Sequence, residues 1–248
     1  MDKSYGKFAE LYDELTFDVE YKRYADFIEW LIKEHNIKPE LVFDLACGTG
    51  TMANELSERG YDLIAADASA EMLGCAIKKY GTDKILFLNQ PMQEFELYGT
   101  VDVIICMLDS INYLTEPEDL FETFALCNNY LNDGGLLIFD VNSEYKFKNI
   151  LADNVYTYEK DDIFYVWEND FCEEEKLCDF YLTFFRRDES GFYERIDEHH
   201  TERCYTDDEI TDALEENGFE ISGKFDDYTK NEAKNESERI LYCAIKRR

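Results

Sequence analysis

The segment Val42–Thr51 constrains the fold of this chain more than any other part of the sequence. It begins with a short apolar run typical of a buried β-strand, interrupted only by Asp44. Gly48 and Gly50 then predict a tight turn, because glycine adopts positive φ angles and lets a ligand approach the backbone. A helix expected from about Met52 points its free N–H groups at this turn. The segment therefore predicts a strand–turn–helix unit that binds a small-molecule cofactor.

Two classes of cofactor are compatible with this turn. The pattern Gly48-x-Gly50-x-x-Ala53, with Asp67 downstream, satisfies the dinucleotide fingerprint and would indicate an NAD(P)-dependent oxidoreductase. Against it, Asp44 would repel a pyrophosphate and attract an ammonium group, and helix-like sequence precedes the strand. S-adenosylmethionine fits better, because it carries an amino-acid end and a ribose diol and has no phosphate. The oxidoreductase remains the alternative interpretation.

Several motifs extend this interpretation along the chain. The segment Asp44-Leu45-Ala46-Cys47-Gly48-Thr49-Gly50 resembles the first motif of class I S-adenosylmethionine-dependent methyltransferases. A subgroup of small bacterial members, many without an assigned substrate, is similar in three further segments: Tyr5-x-x-Phe8-Ala9-x-x-Tyr12-Asp13, Leu108-Asp109-Ser110-Ile111-Asn112-Tyr113-Leu114 and Asp140-Val141-Asn142-Ser143. The expected fold is α/β, a Rossmann-like doubly wound and mostly parallel seven-stranded sheet with an antiparallel β insertion after strand five.

The local sequence patterns and the resemblance to the methyltransferases together predict the cofactor-binding residues. Asp44 is placed to attract the ammonium group, and Asp67, at the end of the second strand, accepts hydrogen bonds from both ribose hydroxyls. Met72 packs either on the adenine or in the core. The resemblance implies an acid at the position of Pro91, so Gln90, Gln93 or the backbone N–H of Met92 must meet the adenine instead. The predicted set is Tyr12, Asp44, Ala46, Cys47, Gly48, Gly50, Asp67, Ala68, Met72, Pro91, Met92, Met107, Leu108 and Asn112.

The catalytic prediction rests on the ends of the parallel strands. Asp109 and Asn112 follow the fourth strand, so both are expected to face the cleft, and Asp109 is expected to hold the acceptor. The resemblance implies that the segment containing Tyr12 closes over the cofactor, where Tyr12 shapes the methyl channel. His199 is the candidate base, with His200 as the alternative. Neighbouring strand residues point to opposite faces, so at most one of the two reaches the cleft.

Charge and composition narrow the possible partners. The formal net charge, 25 − 56 = −31, disfavours a nucleic-acid or anionic membrane partner, because phosphate binding relies on Lys and Arg. Eight cysteines without a C-x-x-C pair predict free thiols in the reducing cytoplasm. The three histidines form no ligand spacing with them, so no metal site is expected. No signal peptide is expected from the polar start of the sequence, and no apolar run in it is long enough to span a bilayer.

The region after strand five changes pattern. Strand-like runs at 154–160, 163–172, 176–187 and 192–205 alternate with polar turns and predict an antiparallel insertion over 153–205. A single methyltransferase domain is expected over 1–248, with amino-terminal helices at 1–35 and a Rossmann-like core at 36–142 and 206–248.

The insertion also bears on the acceptor. It contains thirteen aromatic residues and a charge of 6 − 16 = −10, which favours a cationic or amine acceptor, although a half-buried sheet with solvated acids explains the same pattern. The predicted function is methyl transfer to a small molecule, with an amine favoured and a hydroxyl possible. A non-catalytic cofactor-binding module remains an alternative, because of Pro91.

Overall fold

The computed structural model of the chain describes residues 6–16, 18–188 and 190–247. Tyr5 and the side chain of Phe8 in the amino-terminal motif lie outside this description. The helices are α1 (Gly6–Leu15), α2 (Tyr21–Glu34), α3 (Thr51–Glu58), α4 (Ala70–Tyr80), α5 (Pro117–Tyr130), α6 (Glu144–Lys146) and α7 (Asp207–Glu216). The strands are β1 (Leu41–Leu45), β2 (Asp62–Asp67), β3 (Ile85–Asn89), β4 (Val101–Cys106), β5 (Leu131–Asn142), β6 (Val155–Lys160), β7 (Ile163–Cys172), β8 (Leu177–Arg187), β9 (Tyr193–Arg203), β10 (Phe219–Asp226) and β11 (Arg239–Lys246).

Seven of these strands form the main sheet, in the order β10-β11-β5-β4-β1-β2-β3. The pairs among β1 to β5 are parallel, whereas β11 runs antiparallel to both β5 and β10. Strand order reverses between β1 and β4, which is where ligands bind in open α/β sheets. The predicted Rossmann-like α/β fold with a mostly parallel sheet is confirmed.

The main sheet is buried on both faces, as expected for parallel strands joined by helices. One face packs with α5 and α7 in a cluster that includes Phe43, Phe124 and Tyr242. The other face packs with α2 and α3 around Ile28 and Met52. None of the described helices has the length and apolar content needed to cross a membrane.

The segment Asn132-Asp133-Gly134-Gly135 predicts a turn and a strand that starts at Leu136, but β5 starts earlier. The strand begins at Leu131, because Leu131 pairs with Val101 before the register shifts at the Asn132–Gly135 segment. Gly134 has a φ of +81° there. The predicted turn is therefore an irregularity within a longer strand.

The insertion forms a separate antiparallel sheet in the order β6-β7-β8-β9. Its inner face carries Phe184 and Ile196, which pack with Leu11 of α1 and Met72 of α4. A π-helical turn, Phe147–Leu151, continues α6 and packs on another part of the same sheet. The insertion thereby lies against the amino-terminal helix and faces the edge of the main sheet where β4 ends.

Candidate active site

A cavity of about 650 Å³ lies where β1, β2, β3 and β4 end. The loops after these strands form one side, Tyr12 on α1 covers another, and the inner face of the insertion forms the wall opposite. A recess of about 40 Å³ adjoins it and shares Tyr12, Ala46, Gly48, Leu108 and Ser110 with it. Most of the predicted site residues line one or both spaces: Tyr12, Asp44, Ala46, Cys47, Gly48, Asp67, Ala68, Met72, Pro91, Met92, Met107, Leu108 and Asp109.

Different structural constraints require glycine at the two positions of the turn. Gly48 has a φ of +55°, and a Cβ built there meets no atom within 4 Å, although the residue lines both the cavity and the recess. Gly50 has a φ of +74°, and its Cβ would lie 3.0 Å from Cβ of Ala76. Gly48 therefore leaves space for a ligand. Gly50, predicted to bind cofactor, lines neither space and instead allows α4 to pack closely.

Asp44 ends β1 as a buried carboxyl group, 2% exposed, beside the recess. Burial, and next the charge of Asp67, raise its pKa to about 8. Its Oδ2 atom has no hydrogen-bond partner among the described residues. None of the described residues that line the recess is lysine or arginine. A buried acceptor without a partner is unfavourable, so the recess suits a ligand with a cationic donor such as an ammonium group.

Asp67 is held in a fixed orientation at the end of β2. Its carboxylate accepts hydrogen bonds from the backbone N–H of Gly48 at 2.7 Å and of Ser69 at 2.8 Å. Burial raises its pKa, although both of these bonds oppose the shift. The N-cap of α4 is Ser69, whose hydroxyl accepts from the N–H of Met72. Asp67 is thus not needed as a helix cap and lines the cavity.

The loop after β3 supplies Gln90, Pro91, Met92 and Gln93 to the cavity wall. The side chain of Gln90 already accepts a hydrogen bond from the N–H of Glu96 at 3.1 Å. Of the two glutamines considered for the adenine, Gln93 is therefore the better placed, since its amide makes no such bond within the described loop.

The turn after β4 is strained and is held by one buried acid. Leu108 and Asp109 both have positive φ angles, 60° and 54°, which are unfavourable for residues other than glycine. Both backbone N–H groups donate to the carboxylate of Asp140, at 2.7 and 2.9 Å. Tyr228 donates to the same carboxylate, and Arg239 forms an ion pair with it. Asp140 thereby fixes the backbone that presents Asp109 to the cavity.

Asp109 lines the cavity, and its carboxylate contacts two other side chains. Arg239 forms an ion pair with it at 2.6 Å, and Glu202 hydrogen-bonds to it. Burial alone raises its pKa, but the charges of Arg239 and Lys146 outweigh burial and lower it. Asp109 is therefore an ionised, preoriented group in the wall of the cavity.

The choice of His199 over His200 is corrected by the structure. The His199 ring stacks on Tyr181 on the outer face of the insertion and hydrogen-bonds to Asp179 at 2.9 Å. His200 lines the cavity, 7% exposed, with its ring 5.9 Å from that of Tyr113. Burial, and next the charge of His199, lower the pKa of His200 to about 4. His200 is thus a neutral imidazole near pH 7 and a weak base.

The prediction that Asn112 faces the cleft is also corrected, because Asn112 lines neither the cavity nor the recess. Its side chain is fully buried and accepts from the N–H of Asn142 at 2.9 Å. It also donates to the carbonyl of Arg203 at 2.9 Å. These bonds join the turn after β4 to β5 and β9.

Substituting Asn112 with alanine should therefore destabilise the fold without affecting ligand binding. We expect a loss of about 1–3 kcal/mol in the free energy of unfolding, because buried backbone groups lose their partners. Urea denaturation measures this loss, and calorimetric titration with S-adenosylhomocysteine should give an unchanged affinity. Asn149→Ala, at an exposed asparagine, is the control and should stay within about 0.5 kcal/mol. Weakened binding in Asn112→Ala would restore Asn112 to the site.

Several cavity residues were not among the predicted site residues, including Trp167, Phe180, Glu202 and Arg239. Arg239 begins β11, which is antiparallel to β5, so its start lies beside the end of β5, where Arg239 pairs with Asn142. The antiparallel pairing is the signal that places Arg239 at the ligand-binding edge. The described residues contain no cluster of three or more His, Cys, Asp and Glu side chains arranged for a metal ion.

Comparisons with known proteins give a consistent result. A family model for a methyltransferase domain matches residues 42–135. YqeM, a putative methyltransferase of Bacillus subtilis (strain 168), is 33% identical over 244 residues, which cover 98% of this chain and 97% of the relative. The crystal structure of an S-adenosylmethionine-dependent methyltransferase from Clostridium acetobutylicum ATCC 824 superposes with a TM-score of 0.90 and 36% identity, covering 98% of each chain.

A partial relative has a named acceptor. The glycine/sarcosine N-methyltransferase of Parasynechococcus marenigrum (strain WH8102) is 32% identical over 120 residues. The match covers 47% of this chain and 42% of that protein.

Proposed function

The chain belongs to the family of S-adenosylmethionine-dependent methyltransferases, and we propose that it methylates the nitrogen of a small-molecule amine. Family membership confirms the cofactor and the enzyme class, so the oxidoreductase alternative is wrong. The nature of the acceptor is the part that we infer, and the residue roles below belong to the same proposal.

The residues present fit the cofactor. Asp44 offers a buried carboxylate oxygen without a partner in the recess, which suits the ammonium group of the amino-acid end. Asp67 faces the cavity with an orientation fixed by two backbone N–H groups, as two ribose hydroxyls require. Gly48 lies between the two acids and leaves space that any side chain would fill. Pro91, Met92 and Gln93 line the part of the cavity assigned to adenine.

The observation that carries the amine proposal is the charge of the cavity wall. Arg239 is the single lysine or arginine among the described lining residues, whereas five lining residues carry carboxyl groups: Asp67, Glu71, Asp109, Asp119 and Glu202. Tyr113, Trp167 and Phe180 add aromatic surface, which attracts cations. An acidic, aromatic cavity favours a positively charged cofactor and an amine over an anionic acceptor. The partial relative that methylates glycine and sarcosine agrees with a nitrogen acceptor.

The geometry supports a mechanism based on positioning. S-adenosylmethionine supplies an electrophilic methyl group bonded to a positively charged sulfur. Tyr12 and the insertion wall would exclude water and would hold an acceptor beside the methyl group that the bound cofactor would supply. Asp109, kept ionised by Arg239, stabilises the positive charge that develops on the acceptor nitrogen. His200 stays neutral and offers a hydrogen-bonding ring rather than a second cation.

Substituting Gly48 with leucine tests the cofactor assignment. The new side chain would enter the cavity, so we expect S-adenosylhomocysteine to bind roughly 100-fold more weakly or worse. Gly60→Leu is the matched control, because Gly60 also has a positive φ, meets no atom within 4 Å and lies outside the cavity lining. Both variants should lose similar stability, and Gly60→Leu alone should keep its affinity. Equal affinities would remove Gly48 from the site.

A methyl-release assay tests the acceptor class. Purified protein and S-adenosylmethionine are incubated with pairs of small molecules that share a carbon skeleton and differ only in an amine or a hydroxyl group. We expect turnover with amine members, rising with pH as the neutral amine becomes more abundant. Turnover confined to hydroxyl members contradicts nitrogen transfer. Binding of S-adenosylhomocysteine, measured on the same sample, establishes that the protein is competent.

A further inference from the structure

Two carboxyl groups meet where the insertion faces the end of β4. Glu202 on β9 is 3% exposed, lines the cavity and hydrogen-bonds to Asp109. Its Oε2 atom accepts a hydrogen bond from the side-chain amide of Asn142 at 2.9 Å. A carboxylate has no proton to donate, so two carboxyl groups can share a hydrogen bond only when one of them is protonated. A hydrogen bond between Glu202 and Asp109 therefore requires one proton on the pair.

The partners of the two groups determine where that proton is. Arg239 lies 2.6 Å from Asp109 and stabilises its ionised form. Glu202 has a neutral amide as its other partner, and Lys146 Nζ donates to the oxygen of that same amide, although burial, and next the charge of Arg239, lower the pKa of Lys146. Burial, and next the charge of Asp109, raise the pKa of Glu202 well above its usual value. The ion pair at Asp109 and the burial of Glu202 together favour the proton on Glu202.

We propose that Glu202 is a positioning residue whose proton ties the insertion sheet to the turn after β4 and so assembles the acceptor side of the cavity. His200 precedes Glu202 on the same inner face of β9, and Trp167 and Phe180 extend that wall on β7 and β8. Loss of the proton would place two anions in contact, and their repulsion would move the insertion away from Asp109. The role as acceptor wall rests on the proposed function, but the tie itself does not.

Titratable or charged groups lie around Glu202 on several neighbouring elements. They are Asp109 after β4, Asp140 on β5, Lys146 on α6, Cys178 on β8, His200 on β9, and Arg239 on β11.

Two of these groups stay in one protonation state across neutral pH. The pKa of His200 is lowered to about 4, chiefly by burial, and that of Cys178 is raised to about 12, also chiefly by burial. Glu198, on the same face of β9, is different, because burial raises its pKa to about 7. The titration of Glu198 therefore has to be separated from that of Glu202 by a control variant.

Trp167 provides a direct readout, since it lines the cavity and the chain has only one other tryptophan, Trp30. In a Trp30→Phe background, the emission of Trp167 should shift to longer wavelength as pH rises and Glu202 loses its proton, because water enters as the wall separates. Adding Glu202→Gln should abolish the shift, since the amide replaces the protonated carboxyl and keeps both hydrogen bonds. Glu198→Gln is the matched control and should leave the shift in place.

Two further results decide the proposal. The difference in melting temperature between Glu202→Gln and the parent should increase in favour of Glu202→Gln as pH rises. The reason is that only the parent holds a proton on residue 202 when folded and releases it on unfolding. Asp109→Asn should abolish the emission change, since an ionised Glu202 then faces a neutral donor instead of a second anion. A shift that persists in Glu202→Gln, or that Glu198→Gln alone removes, overturns the proposal. No acceptor is needed, so failure here is distinct from failure of the amine assay.

Discussion

Substituting Arg239 with methionine is expected to lower the free energy of unfolding by about 3–5 kcal/mol, the range for removing one partner of a buried ion pair. The Arg239 side chain is 17% exposed and pairs with Asp109, which is 20% exposed, and with Asp140, which is fully buried. Methionine fills similar volume but leaves two carboxylates without their cation. The strained turn at Leu108 then depends on an acid that has lost its counter-ion.

Urea denaturation at pH 7 measures the effect, with Arg195→Met as the control. Arg195 also pairs with an aspartate, Asp197, but both side chains are more than half exposed, so the control should lose no more than about 1 kcal/mol. Arg239→Lys should recover part of the loss in stability, because lysine restores the positive charge but not the bidentate hydrogen bonding of a guanidinium group. Equal stabilities for Arg239→Met and Arg195→Met would show that the network around Asp140 contributes little.

The fold was predictable because its signals are local. The glycine turn, the apolar run at Val101–Cys106 and the alternation at 163–172 each specify an element without reference to the rest of the chain. Their order then restricts the sheet, because parallel strands need helical crossovers of one hand. The four strands of the insertion lie within about two residues of their predicted ends.

The acceptor side of the site was less predictable, because it is formed by long-range contacts. Alternation along β9 separates His199 from His200 but does not by itself say which side is inward. Ile196 does say so, since it is the one aliphatic side chain of that strand, is buried, and shares its face with His200. Glu202 and Asp109 are distant in sequence, and only the docking of the insertion brings them into contact.

Asn112 shows a related limit of the strand-end rule. The rule places a residue near the edge of the sheet but does not say whether its side chain faces the ligand or the neighbouring strands. The polar backbone groups at Asn142 and Arg203 need partners, and Asn112 supplies them.

Ligand binding is expected to depend on the protonation of Asp44. Burial, and next the charge of Asp67, raise its pKa to about 8 in the free protein, so the group is mostly neutral at pH 7. An ammonium group in the recess stabilises the ionised form, so binding of S-adenosylhomocysteine should release a proton. Affinity should therefore increase up to roughly tenfold per pH unit below about pH 8 and level off above it. Calorimetry in two buffers of different ionisation enthalpy measures the proton release.

Asp44→Asn should separate binding from stability. At pH 8 we expect a loss of about 1.5–3 kcal/mol in binding free energy, the range for a hydrogen bond to a charged group, with no proton release. The ligand-free fold holds a proton on Asp44 that the unfolded chain releases near 3.8, so wild-type stability falls as pH rises from 3.8 towards about 8. The asparagine variant lacks this decline and should become the more stable protein at alkaline pH. Asp62→Asn, at an exposed aspartate at the opposite end of β2, should change neither quantity. A pH-independent affinity in the wild type would mean that Asp44 does not meet the ammonium group.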